Sequence, residues 1–252
     1  MHEILVISLA RALVRRRLMQ AQLDVPGMPP HRFVDALEGA ALVPDRLSEL
    51  YDDMAARLIC GPLTLPEIGC AASHLAAYRL LVSKGMPLAV VLEDDALLGV
   101  KFPSVLERLG ATIDADIPQA VLLSHVVRYS AWGARRLDKI HRLCRPYEAF
   151  GAHGYVITQA GARAMLHALS RVRTVADDWR YFAARKILKV SAVVPYVVGT
   201  SPISLASDIG AERDLRVAGS PMQQWMRKYL WQKLLFQLLK PVLRLHRAEQ
   251  TW

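Results

Sequence analysis

Residues 64–98 read "TLPEIGCAASHLAAYRLLVSKGMPLAVVLEDDALL". Thr64 and Glu67 stand at the spacing of a capping box, Pro66 is tolerated in a first helical turn, and Gly85 sits where a C-terminal cap belongs. Between them Ile68, Ala71, Ala72, Leu75, Tyr78 and Val82 recur on one helical face. "PLAVVLE" then reads as a buried strand, so helix gives way to strand in the α/β manner. The strand ends in Glu93, Asp94 and Asp95, and apolar residues resume at once.

The same alternation extends outward. "EILVISLA" is an Ile- and Val-rich run suited to a first buried strand, followed by helical spacing at Leu13, Arg17, Met19 and Leu23. A turn-rich stretch leads to a second strand around Arg32–Phe33–Val34. Further on, "QAVLLSHV" and "YVIT" read as strands, "TQAGARAMLHAL" as a helix, and "VSAVVPYVV" closes the folded part. With no internal repeat and no low-complexity linker, one α/β domain is expected over residues 1–220, followed by a basic amphipathic helical tail over 221–252.

The composition is that of a globular chain: 252 residues, 53% hydrophobic and 22% charged. Its net charge of +9 is weighted toward both ends, where it suits anionic partners such as a nucleotide phosphate, a nucleic acid or a membrane surface. Cys60, Cys70 and Cys144 form no CxxC pair, which argues against a disulfide framework or zinc knuckle and for a reducing compartment. The first apolar run precedes its arginines, the reverse of a signal peptide, and no apolar run reaches the roughly 18–20 residues of a membrane span. The expected location is the cytosol.

Three adjacent carboxylates at a strand end repel one another, and without a compensating cation their pKa values should rise. A solvated acidic turn is one reading. The other is a hard divalent cation, Mg²⁺ or Mn²⁺, with oxygen ligands and a bridge to a diphosphate, at the strand edge where α/β sheets bind ligands. Arg15, Arg16 and Arg17 are either a solvated helix face or, just after the first strand, guanidinium groups for a phosphate. His74, beside Ser73, is either a structural helical histidine or a visitor to the same pocket. Asp177 and Asp178 before Trp179 are either an N-cap or a general base beside an aromatic platform for a sugar.

Taken together and in order, "VISLARALVRRR", the 64–98 block, "GAHGYVITQAGARAML" and "ADDW" resemble glycosyltransferase family 25, over most of residues 3–210. Pro66 stands where the family pattern has glycine or another small residue. The resemblance implies a GT-A-like nucleotide-sugar fold, inverting transfer from a UDP-sugar, often UDP-galactose, and a lipooligosaccharide or other glycan acceptor. It implies that Glu93 and Asp95 bind the metal, Mn²⁺ or Mg²⁺, and that Ser8, Leu9, Arg11, Arg15, Arg16, Glu67, Ser73, His74, Glu93 and Asp94 surround the donor. Asp177 matches the acidic residue of the later motif and is expected to be the base, with Asp178 its close rival. His153 and Trp179 fall on the acceptor side.

Two other classes are consistent with parts of the sequence: a metal-dependent nucleotidyltransferase, which also uses clustered carboxylates, and a basic nucleic-acid-binding protein. Against the second, basic residues interleave with aromatics only in the last thirty or so residues, and no nucleic-acid-binding signature occurs. In that tail, 223–247, Trp225, Tyr229, Leu230, Lys233, Leu234, Gln237, Leu238 and Pro241 mark a helix with a broad apolar side, flanked by Arg227, Lys228, Lys240, Arg244 and Arg247. It reads either as a core helix or as a helix lying on the anionic inner face of the cytoplasmic membrane, with Trp225 and Trp231 at the headgroups.

Overall fold

The computed structural model describes residues 3–201 and 245–247. Its centre is a nine-stranded mixed sheet with helices on both faces. Three strands, β1 (Glu3–Ser8), β2 (His31–Asp35) and β3 (Leu88–Glu93), run parallel, with β1 in the middle and Ile7 opposite Glu93. On the other side of β3, β8 (Gly154–Thr158) is antiparallel, and beyond it come β5 (Gln119–Leu122) and β9 (Lys189–Val194), parallel to each other. The long hairpin β6 (Val126–Arg136) and β7 (Arg142–Ala149) pairs onto β9, and β11 (Leu245–Arg247) closes that edge against β6. A small ribbon joins β4 (Ala96–Leu98) to β10 (Val198–Thr200).

Period-two alternation explains why the central strands are apolar throughout. Leu5, Val91 and Tyr155 face one core, with α4 (Leu65–Ser83), α6 (Gln159–Ala168) and α7 (Trp179–Ala184). Ile4, Val90 and Val156 face the other, with α1 (Leu13–Leu23) and α5 (Phe102–Thr112). Two short helices, α2 (Pro44–Leu50) and α3 (Asp53–Ile59), precede α4 in the chain.

The capping box of α4 is present: the Thr64 hydroxyl accepts from the Glu67 N–H while Glu67 accepts from the Thr64 N–H, and Gly85 takes φ +63° after the last turn. This helix is buried on more than the predicted stripe, since Glu67, Ser73 and His74 are buried as well. Leu81 is buried at its end and Val82 only half-buried. Its first turns press against the chain at 37–39: a Cβ on Gly69 would lie 2.6 Å from the Gly39 nitrogen and 2.7 Å from the Leu37 oxygen. Glycine is needed there for space.

The closing run "VSAVVPYVV" holds most of β9 and the first residue of β10, with Pro195 between them. The tail predicted as helical falls outside the described residues except at its end. There, Leu245–Arg247 is a strand antiparallel to β6, not the last turn of a helix. Extended pairing to a neighbouring strand replaces local helical bonding at these three residues.

Candidate functional site

β1 and β3 end side by side, and their carboxyl edge carries Ser8 and the acidic triplet. The antiparallel β8 begins at that same edge, so the residue before it is brought in: the Glu93 N–H donates to the His153 carbonyl at 3.0 Å. His153 Nδ1 then lies 3.3 Å from Glu93 Oε2 and 3.6 Å from Asp95 Oδ1. Asp94, on the opposite side of the chain, turns away from them. Its carboxylate accepts from the Ser8 hydroxyl at 2.6 Å and has Arg15 3.5 Å away.

The protonation pattern departs from a uniform rise across the triplet. Burial works to raise the Glu93 carboxyl, but His153 and His74 beside it prevail and hold it well below the usual carboxylate range. The His153 imidazolium supplies the compensating positive charge that sequence reasoning sought in a metal alone, and His74 adds a hydrogen bond. Burial would lower His153, yet the Asp95 and Glu93 carboxylates raise it to about 10. The Asp94 carboxyl moves up: its burial and the charges of Asp95 and Glu93 outweigh the Ser8 hydroxyl and Arg15.

Behind Glu93 a buried polar chain runs into the core. His74 Nε2 lies 3.2 Å from Glu93 Oε1, His74 Nδ1 2.7 Å from the Tyr155 hydroxyl, and that hydroxyl 2.6 Å from the Tyr78 hydroxyl. With His74 neutral the chain has one polarity, because an ionised carboxylate can only accept. Tyr78 donates to Tyr155, Tyr155 to His74 Nδ1, and His74 Nε2–H to Glu93. The chain fixes the Glu93 carboxylate so that its second oxygen faces His153.

The donor atoms of Glu93, Asp95 and His153 all lie within 4.8 Å of one another. Asp95 Oδ1 and His153 Nδ1 are buried and lack a hydrogen-bond partner while facing each other. Two carboxylates and an imidazole whose donor atoms converge in this way fit a divalent cation such as Mn²⁺ or Mg²⁺. The third donor, His153, had been read as an acceptor contact; the sequence signal for it was its place just ahead of a strand in "GAHGYVIT".

The remaining predicted residues divide by geometry. Arg16 is held by the Ser8 and Leu9 carbonyls at 2.8 and 3.1 Å, pairs with Asp35, and lies over Phe33, so it clamps the ends of β1 and β2. Arg15, a third exposed, is the guanidinium that faces the acidic site. Arg11 is bound to Glu38 on the surface. Glu67 belongs to the α4 cap, and Ser73 ties the Leu37 N–H to the Gly69 carbonyl.

Asp178 is the N-cap of α7, accepting from the Tyr181 N–H at 3.1 Å and from the Thr174 hydroxyl at 2.9 Å. Asp177 instead accepts from the Gly151 N–H at 2.6 Å. Gly151 has φ +83°, and a Cβ there would lie 2.6 Å from His153 Nε2, so Asp177 anchors the loop that presents His153. Trp179 is 2% exposed, its ring edge-on to Tyr155 and its Nε1–H bonded to the Gly151 carbonyl. An open sugar platform needs an exposed face, and here the indole is core.

The profile of glycosyltransferase family 25, described as LPS biosynthesis protein, matches residues 1–179. The chain is 29% identical over 186 residues to the lacto-N-neotetraose biosynthesis glycosyltransferase LgtE of Neisseria meningitidis serogroup B, covering 69% of this chain and 62% of that protein. It is 24% identical over 227 residues to procollagen galactosyltransferase 1 of Danio rerio, covering 85% of this chain and 34% of that protein. It is also 28% identical over 176 residues to the probable inactive glycosyltransferase 25 family member 3 of Bos taurus, covering 65% of this chain and 28% of that protein. The chain thus spans less than two thirds of the length of each of these relatives. With the profile matching more than half of its residues, the chain belongs to glycosyltransferase family 25.

Proposed function

We propose that the protein transfers a sugar, galactose first among the candidates, from a UDP-sugar to a hydroxyl of a lipooligosaccharide or other glycan, inverting the anomeric carbon on a GT-A-like fold. The observation that carries this reading is the cluster of Glu93, Asp95 and His153 at the carboxyl edge of parallel strands, with two of its buried ligand atoms making no hydrogen bond. Because relatives named as inactive members are among the matches, family membership alone does not decide catalysis; the donor set of Glu93, Asp95 and His153 supports it.

Glu93, Asp95 and His153 would hold the cation, which when bound neutralises charge on the departing diphosphate. Arg15 would add a positive charge beside the same phosphates, and Asp94 with Ser8 would orient the nucleotide. Asp177 would take the proton from the acceptor hydroxyl as it attacks C1 from the face opposite the leaving group. The tail would bring the enzyme to the cytoplasmic face of an anionic membrane, where a lipid-linked acceptor is held.

The test is a thermal-shift panel of UDP-, GDP- and CMP-sugars with and without Mn²⁺. A ligand at a hundred times its dissociation constant stabilises the fold by about 2.7 kcal/mol. A UDP-sugar is expected to raise the melting temperature only with Mn²⁺, and Asp95→Ala is expected to remove that rise. An equal response in EDTA, or in Asp95→Ala, refutes the metal assignment. A response to CMP-sugars alone refutes the donor.

A further inference from the structure

A groove runs between α5 and the turn of the β6–β7 hairpin, lined by Lys101, Ser104, Arg108, Arg136, Lys139 and Ile140. Among the described residues none of its four cations has a carboxylate partner within ion-pair distance. The acid in its wall, Asp138, is turned back into the hairpin. It accepts from the Ile140 N–H at 2.7 Å and the His141 N–H at 2.6 Å, with His141 Nδ1 2.8 Å away. The groove is therefore strongly positive.

Its place in the fold follows from strand directions. β9 is parallel to β5, β5 antiparallel to β8, and β8 antiparallel to β3, so Val194 ends β9 at the sheet edge where Glu93 ends β3. Arg142 pairs with Val194, which puts the turn just before it at that edge too. The rims of the groove also carry bare apolar side chains: Val100, beside Lys101, is 94% exposed, and Ile140, beside Lys139, is 59% exposed.

We infer that this groove docks the folded domain on an anionic lipid bilayer, with the acidic site's edge turned toward the membrane. Unpaired cations gain from anionic headgroups, and apolar tips gain only from an acyl boundary, which a soluble anion does not offer. No residue that lines the groove belongs to the tail, and the inference does not depend on which donor the enzyme uses.

The full-length protein is sedimented with phosphatidylcholine vesicles with and without phosphatidylglycerol. Binding is expected only to the anionic vesicles and should weaken with salt. The triple variant Lys101→Glu, Arg108→Glu, Lys139→Glu should bind about a hundredfold more weakly, each cation near such a surface contributing about fivefold and reversal adding repulsion. Its melting temperature and nucleotide-sugar binding should stay unchanged. Should the triple variant not fold, the double variant Val100→Ser, Ile140→Ser keeps every charge and is expected to lose several-fold in vesicle affinity. Undiminished binding by either folded variant overturns the proposal and leaves the docking to the tail. So does displacement from vesicles by inorganic phosphate at matched ionic strength, which would make the groove a site for free anions.

Discussion

Removing one oxygen from the core tests the polarity of the chain behind Glu93. Tyr155 is fully buried, and its hydroxyl sits between Tyr78 at 2.6 Å and His74 Nδ1 at 2.7 Å, both of them buried. Tyr155→Phe keeps the ring against Trp179, centroids 5.0 Å apart, so no cavity forms. It strands two groups, the Tyr78 donor and the His74 acceptor, at about 1–3 kcal/mol each, which sums to about 2–6 kcal/mol. Tyr78→Phe removes the donor at the far end while Tyr155 still donates to His74, and should cost only about 0.5–1.5 kcal/mol. The double variant strands His74 alone, so it should be more stable than the sum of the two losses allows. Urea unfolding in metal-free buffer measures all three, a shift in midpoint at constant slope reporting stability. Equal costs for the single variants that simply add in the double would refute the directed chain.

Metal binding must displace the proton that His153 holds up to about 10, so Mn²⁺ affinity measured by calorimetry should rise about tenfold per pH unit between pH 6.5 and 8, with proton release visible as a buffer-dependent heat. Without metal the sign for the fold is opposite: protonated His153 stabilises fully below its ordinary 6.5, and that contribution fades as pH rises toward about 10. Asp177→Asn keeps an oxygen to accept from the Gly151 N–H, so it should lower sugar transfer about a hundredfold or more with donor binding retained, as expected for a lost general base. Asp178→Ala should cost about 1 kcal/mol of stability as a lost N-cap and leave donor affinity alone; the reverse pattern in a transfer assay would exchange their roles. Gly69→Ala forces the Gly39 backbone away from α4 and should destabilise by about 1–3 kcal/mol in thermal unfolding, with an unchanged melting temperature counting against the close approach.

Local order was written within short windows of sequence. The α4 cap needs only Thr64, Pro66 and Glu67, and β3 with its acidic end is contiguous, so both were legible, as were the cores of β1, β2, β5, β8 and α6. The acidic triplet announced the site because charge at the end of an apolar strand is costly without a partner. The hairpin β6–β7 was not legible: its alternation is broken by register shifts, and the strands stabilise one another only through pairing. Helices α2, α3, α5 and α7 were passed over, the first two and α7 being six or seven residues long.

What the sequence determined alone is a strand–helix–strand α/β chain with carboxylates at one strand end. Only the tertiary structure decided how those carboxylates are used. An antiparallel β8 placed between β3 and β5 carries His153 to Glu93 and Asp95, and sends Tyr155 inward to His74. Adjacent Asp177 and Asp178 are the same residue type in the same motif, yet one caps α7 and the other holds the Gly151 loop. Trp179 looked like a platform and is core. The physical reason is range: periodicity and caps are settled by neighbours a few residues away, whereas strand order, and so which side chains share a low-dielectric site, is settled by packing between segments far apart in the chain.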